Sequence, residues 1–215
     1  MFRCSRSTSP RIHGAMLCAV VLFVGAPAWG QSDVVMIEEH WELQLGQPDA
    51  GRSAPQTTMV MSPSGDLDGV HFLFTLNHAN APDYAAGGVQ IQAWDGSDLL
   101  GYDDDDEVGA LSHTDEVVTW VQKMWLDSGA LKFKVIDGQS ETWGQFGNED
   151  MELSVPSTLT RLNGYLPAVS LTESQVNYAE NRVFSLTLTK LRWMTSDGVF
   201  YEQNAPIPLD TSLDQ

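Results

Sequence analysis

The sequence predicts an all-β chain folded as an antiparallel two-sheet sandwich or jelly roll. Three observations carry this expectation. Apolar and polar residues alternate at period two in several segments. Those segments recur every ~8–12 residues, with Gly, Pro, Asp and Ser turn signals between them. After residue 30 no segment keeps a helical apolar period over three turns.

The chain of 215 residues opens as an export signal. Arg3, Arg6 and Arg11 form a basic start with no acidic residue before Asp33. Residues 15–24 are apolar throughout, too short a run to cross a hydrocarbon core of ~30 Å as a helix. Ala28-Trp29-Gly30 is a small-x-small cleavage site, and Ala26-Pro27-Ala28 is a nearby alternative. Cys18 lies inside the apolar run rather than after it, which argues against a lipoprotein. The expected division is a cleaved signal peptide over residues 1–30 and one domain over 31–215, with an acidic C-terminal tail that frays. The expected location is secreted or periplasmic.

Cleavage would remove both cysteines, Cys4 and Cys18, and leave no disulfide. Three of the 11 basic residues would leave too, so 8 would face 29 acidic ones, a formal charge of −21. Such a charge argues against nucleic acid or an anionic membrane as partner, since both need cationic surface. No second apolar run follows, so no membrane span is expected.

The strands read in order as follows. Residues 37–45 set Trp41, Leu43 and Leu45 against His40, Glu42 and Gln44, one strand with a wet face. A loop over 46–56 leads to a short strand over 57–61. Residues 62–69 are turn chemistry. Residues 70–76 are apolar at nearly every position, a central strand buried on both faces. A loop over 78–88 precedes a strand over 89–94, and Asp95-Gly96-Ser97-Asp98 turns the chain into 99–102. Residues 103–115 read as an acidic loop.

Residues 116–147 form the centre of the prediction, a long β-hairpin with a structured return. In its first arm Val118, Trp120, Met124 and Leu126 share one parity. Asp127-Ser128-Gly129 is the turn, with glycine available for a positive φ. Leu131, Phe133 and Val135 alternate with Lys132 and Lys134 in the second arm, which Asp137-Gly138 ends. A strand over 151–155 follows, then an irregular stretch over 157–179. In the strand over 182–195, Phe184, Leu186 and Leu188 share one parity and Leu191 and Trp193 the other. That switch near Thr189-Lys190 predicts a β-bulge. A last strand spans 199–202.

Three segments carry a resemblance. Glu38-Glu39-His40-Trp41-Glu42-Leu43, Thr142-Trp143-Gly144-Gln145-Phe146-Gly147 and Tyr178-Ala179-Glu180-Asn181-Arg182-Val183 resemble a set found together in an uncharacterised family of secreted bacterial all-β proteins. The resemblance implies export and a single domain, and no assigned activity. The hairpin over 129–139 also resembles strand pairs of concanavalin-like or laminin-G-like sandwiches.

The sharpest chemical feature is Asp103-Asp104-Asp105-Asp106-Glu107, followed by Asp115 and Glu116. Hard cations such as Ca²⁺ take six to eight oxygens, which an acidic loop can supply. Adjacent carboxylates repel, so the loop either stays solvated or draws a counter-ion. The candidate metal ligands are Asp103, Asp105 and Asp106, with Ca²⁺ as the cofactor. No EF-hand register fits.

Aromatic faces stack on sugars, and Trp94, Tyr102 and Trp143 are the candidate ligand-binding residues. Trp41, Trp120 and Trp193 read as core. The carboxylates Glu39, Asp95, Glu116 and Glu141 show no i, i+2 pair on an apolar face of the kind a glycosidase needs. There is no Gly-x-Ser-x-Gly elbow, no nucleophilic cysteine after cleavage and no zinc-type histidine pair among His40, His71, His78 and His113. Asn181-Arg182 reads as a structural partner for an acidic strand.

No catalytic residue is therefore assigned. The expected function is an exported, non-catalytic β-sandwich binding module for a glycan or cell-surface component. A β-sandwich glycan hydrolase or lyase and a structural matrix or envelope protein are the alternatives.

Overall fold

The computed structural model describes residues 32–47, 55–77, 88–105, 111, 113–148 and 151–209. Residues 1–31, over which a signal peptide is expected, His78, Asp106, Glu107 and the last six residues lie outside them. Two antiparallel sheets are present, as the period-two pattern predicts.

In the larger sheet β1 (Val34–Leu45) sits between β11 (Val183–Thr195) and β6 (Val117–Asp127). Beyond β11 lies β12 (Phe200–Pro208); beyond β6 lies β7 (Ala130–Ser140), which pairs with both β8 (Gly144–Phe146) and β9 (Glu152–Pro156). The smaller sheet has the order β10 (Gln175–Tyr178), β2 (Gln56–Met61), β3 (Val70–Leu76), β4 (Val89–Asp95) and β5 (Asp98–Asp105). Its middle strand is β3, where the sequence places a central one.

Between the sheets lies one core, built from the apolar parity of each strand. Ile37, Trp41, Leu43 and Leu45 of β1 meet Met59 and Met61 of β2 and Phe72 and Phe74 of β3 in it. Phe72 of one sheet stacks on Phe133 of the other with centroids 4.9 Å apart, and Phe74 tilts against Trp120 at 5.8 Å. Aromatic pairs of this kind add to the burial of their area.

The predicted bulge is present. Register with β1 slips so that His40 pairs with Lys190 and Trp41 with Leu188, leaving Thr189 out of the ladder. The extra residue returns Leu191 to the core side after Leu186 and Leu188. A second irregularity, where Leu45 pairs with Val183, turns Phe184 outward, and it is 68% exposed.

Four readings of the sequence are corrected. Asp103–Asp105 is not loop but the end of β5, an edge strand paired with β4. Asp137-Gly138 does not end the second arm: β7 runs on to Ser140 through an irregularity opposite Trp120. The stretch over 157–179 contains α1 (Pro167–Glu173) and β10. The C-terminal region is paired as far as Pro208 rather than frayed from 203. Among the described residues no helix is long and apolar enough to cross a membrane.

Candidate functional site

The polar residues that matter lie on the inner face of the larger sheet. Parity along β1 puts Glu39 on the same side as Ile37 and Trp41, and parity along β6 puts Gln122 beside Trp120 and Met124. Register makes two consecutive cross-strand pairs, Glu39 opposite Gln122 and Trp41 opposite Trp120. Opposed residues of antiparallel strands bring their Cβ atoms to ~5 Å. All four are sealed from solvent, Glu39 and Gln122 at 0% exposure and the two tryptophans at 1%.

Around Glu39 the donors are specific. Trp41 Nε1 donates to Oε2 at 2.9 Å, Tyr165 Oη donates to Oε1 at 2.6 Å, and Ser170 Oγ donates to the same oxygen. Burial pushes the Glu39 carboxyl above its ordinary range, against the opposing pull of the Ser170, Tyr165 and Trp41 bonds. Tyr165 is held well above its own range by burial and by the adjoining Glu39.

Gln122 differs. Among the described residues, both atoms of its carboxamide, and the Trp120 Nε1, are buried without a hydrogen-bond partner. Buried polar groups are almost always bonded, so an unpaired carboxamide beside a carboxyl calls for an explanation. The cluster offers an arriving group one carbonyl acceptor and two kinds of N–H donor, next to a carboxyl that can hold or release a proton.

Another buried carboxylate, Glu116, has both oxygens hydrogen-bonded. Its Oε1 accepts from Ser140 Oγ at 2.5 Å and Thr142 N at 2.9 Å, and its Oε2 accepts from Thr142 Oγ1 at 2.8 Å. It clamps the turn from β7 to β8. Arg182 donates to the backbone carbonyls of Gly46 and His113. Burial lowers the Arg182 guanidinium's pKa, while the nearby Glu116 charge opposes that shift.

The expected binding residues do not assemble. Trp94 and Tyr102 lie on the outer face of the smaller sheet, Tyr102 opposite Gln92 and 60% exposed. Trp143 lies in the turn between β7 and β8 of the larger sheet, where it packs edge-on against Phe146 at 5.8 Å. Asp103 and Asp105 project from an edge strand, and Asp106 is outside the described residues. Among the described residues no group of three or more His, Cys, Asp or Glu is gathered as a metal site.

Sequence reasoning counted Glu39 among scattered carboxylates and passed over Gln122. The signal that would have found them is parity: each is the polar residue in an otherwise apolar row.

No protein-family model matches the chain, and no curated protein is similar to it. Among solved structures, one similar chain is SCP-B, a member of the eqolisin family of peptidases, in a complex with the tripeptide Ala-Ile-His. It aligns with a TM-score of 0.34 at 11% identity, over 84% of this chain and 85% of that one. Another is scytalido-glutamic peptidase with a transition-state analog inhibitor, with a TM-score of 0.27 at 14% identity, over 81% and 82%. At these values the likeness assigns no activity to this chain.

The expectation of a non-catalytic module for a glycan or surface component is corrected here. Of the three aromatics expected to bind it, Trp94 and Tyr102 lie on the outer face of the smaller sheet, whereas Trp143 lies in the turn before β8 of the larger one.

Proposed function

We propose that the chain is a hydrolase of acyl bonds, with peptide amides as its substrate class, and that Glu39 and Gln122 are its reacting pair. The observation that supports this reading is the register pairing of a buried acid with a buried carboxamide that has no partner among the described residues.

The chemistry follows from the groups. Ionised Glu39 takes a proton from a water as that water attacks the amide carbon, forming the C–O bond. The carbonyl oxygen gains negative charge, and a Gln122 N–H donates to it in a site screened from bulk water. Collapse breaks the C–N bond, and Glu39 returns its proton to the departing nitrogen. An amine is a poor leaving group without that proton, so a carboxyl with a raised affinity for protons suits amides better than esters. Trp41 Nε1, which donates to the other carboxyl oxygen, fixes the orientation of the carboxyl.

A glycosidase would need two free carboxyls facing one site, and Glu116 is occupied by its own turn. We take the protein to be exported, with a mature N-terminus at Gln31 or within two residues of it, which the intact mass of secreted protein would check.

The test is cleavage of labelled casein across the acid range by wild type, Glu39→Gln and Gln122→Ala, each verified as folded by thermal melting. Loss of cleavage in both folded variants is expected. Equal cleavage by all three would overturn the assignment.

A further inference from the structure

Glu39 has no exposed surface, so a reaction there needs a way in. The two hydroxyls that bond its Oε1, of Tyr165 and Ser170, come from a single stretch of chain, residues 162–173. Its start is tied to the larger sheet, where Leu162 N donates to the Val34 carbonyl and Val34 N donates to Asn163 Oδ1. Just past its end, Ser174 Oγ accepts from Val60 N of the smaller sheet. Between these anchors the hydrogen bonds from side chains to the sheets are those of Tyr165 and Ser170, both to Glu39, among the described residues.

The stretch is weakly self-supporting. Helix α1 has seven residues, no side-chain bond at its N-cap, no acidic residue in its first turn and no basic residue in its last. A helix that short is unstable alone and depends on its packing. Beside it a recess of about 450 Å³ is lined by Val169 and Thr172 of the helix and by Asp66 and Leu67 of the turn after β2, so this flank of the helix is incompletely packed.

We propose that residues 162–173 are a displaceable strap, closed over Glu39 by Tyr165 and Ser170, whose opening exposes the carboxyl to substrate. The proposal rests on the reading of Glu39 as a reacting group, but its test does not. In the closed state the strap's two hydroxyls occupy the carboxyl oxygen that an incoming group would use. Opening the strap wets Glu39 and relieves its desolvation, which offsets part of the two lost bonds.

A reversible tether tests this. A Cβ at Gly65 would lie 3.5 Å from Leu166 Cγ, the position a cysteine sulfur would take, so Gly65→Cys with Leu166→Cys is placed to join the strap to the turn at Gly65. The native cysteines both lie in residues 1–30, so the mature chain has none to compete. The readout is carbodiimide labelling of carboxyls with glycine ethyl ester, located by mass spectrometry. Glu116, equally buried but outside the strap, is the internal control.

With the pair reduced, Glu39 should label faster than Glu116, and oxidation should slow Glu39 alone by at least about tenfold, as for blocked local opening. Equal labelling of Glu39 in the two states, or labelling no faster than Glu116, overturns the strap. If the tethered variant does not fold, Tyr165→Phe with Ser170→Ala should speed Glu39 labelling, and unchanged labelling would be equally fatal. Casein cleavage is scored separately. Gated labelling with no cleavage leaves the strap standing and removes the proposed reaction; cleavage unaffected by the tether does the reverse.

Discussion

Thr189 stands outside the β-ladder, between Leu188 and Lys190, and donates its hydroxyl to the His40 carbonyl at 2.9 Å. That one extra residue sets the facing of everything after it in β11. Deleting Thr189 would restore a regular register and turn Leu191 and Trp193 toward solvent, because a slip of one residue inverts a strand. The deletion should abolish folding. Thr189→Ala keeps the count and loses one hydrogen bond, so it should cost only about 1 kcal/mol in a urea titration. Comparable losses for both would show that the bulge does not set the facing.

Phe133 and Phe184 make a paired test of burial. Phe133 is 0% exposed and stacks across the sandwich on Phe72, whereas Phe184 is 68% exposed. Phe133→Ala should destabilise by about 3–5 kcal/mol, and Phe184→Ala by about 0.5 kcal/mol or less. Denaturant midpoints for the two variants check this, and similar shifts would contradict the assigned facing.

These residues also show how far the sequence could be read. Strand positions were legible because one face is buried and the alternation has a period of two, and the Thr189 bulge was legible because parity changes within a single strand. Phe184 was not, because its facing depends on a slip in the pairing of Leu45 with Val183, and pairing is a property of two strands. The acidic run misled for a related reason: Asp103–Asp105 takes its strand conformation from pairing with β4, against local charge repulsion. Glu39 and Gln122 each sat visibly in an apolar row, but that β1 lies beside β6 is a fact of topology. So is the arrival of Tyr165 and Ser170 from more than 120 residues away.

The raised proton affinity of Glu39 has a signed effect on stability. Its ordinary value is 4.5, and the folded value lies above that, chiefly through burial. Below the unfolded value both states are protonated and the native state carries no penalty. As pH rises from 4.5 through the folded value, the unfolded chain releases its proton first and stability falls. Glu39→Gln removes this titration but leaves the buried side chain with one acceptor oxygen for three donors. The variant should therefore be less stable than wild type in acid, with the gap narrowing as pH rises through that window. Melting curves across pH check it, and a gap that widens with pH would reverse the sign assigned to Glu39.

Gln122 gives the sharpest contrast between stability and function. A buried carboxamide with neither atom bonded costs the protein its desolvation, about 1–3 kcal/mol. Methionine has nearly the same length and volume and no such cost, so Gln122→Met should raise the melting temperature. The same change removes the N–H proposed to receive the oxyanion, and cleavage should fall by about 10²–10³-fold, as when one such donor is lost. A side chain kept for packing would show the opposite pattern, with stability lost and any activity falling only with the folded fraction. The two measurements on this variant separate the cases: if it melts lower than wild type, Gln122 has structural partners and the pairing with Glu39 loses the feature on which the proposed reaction rests.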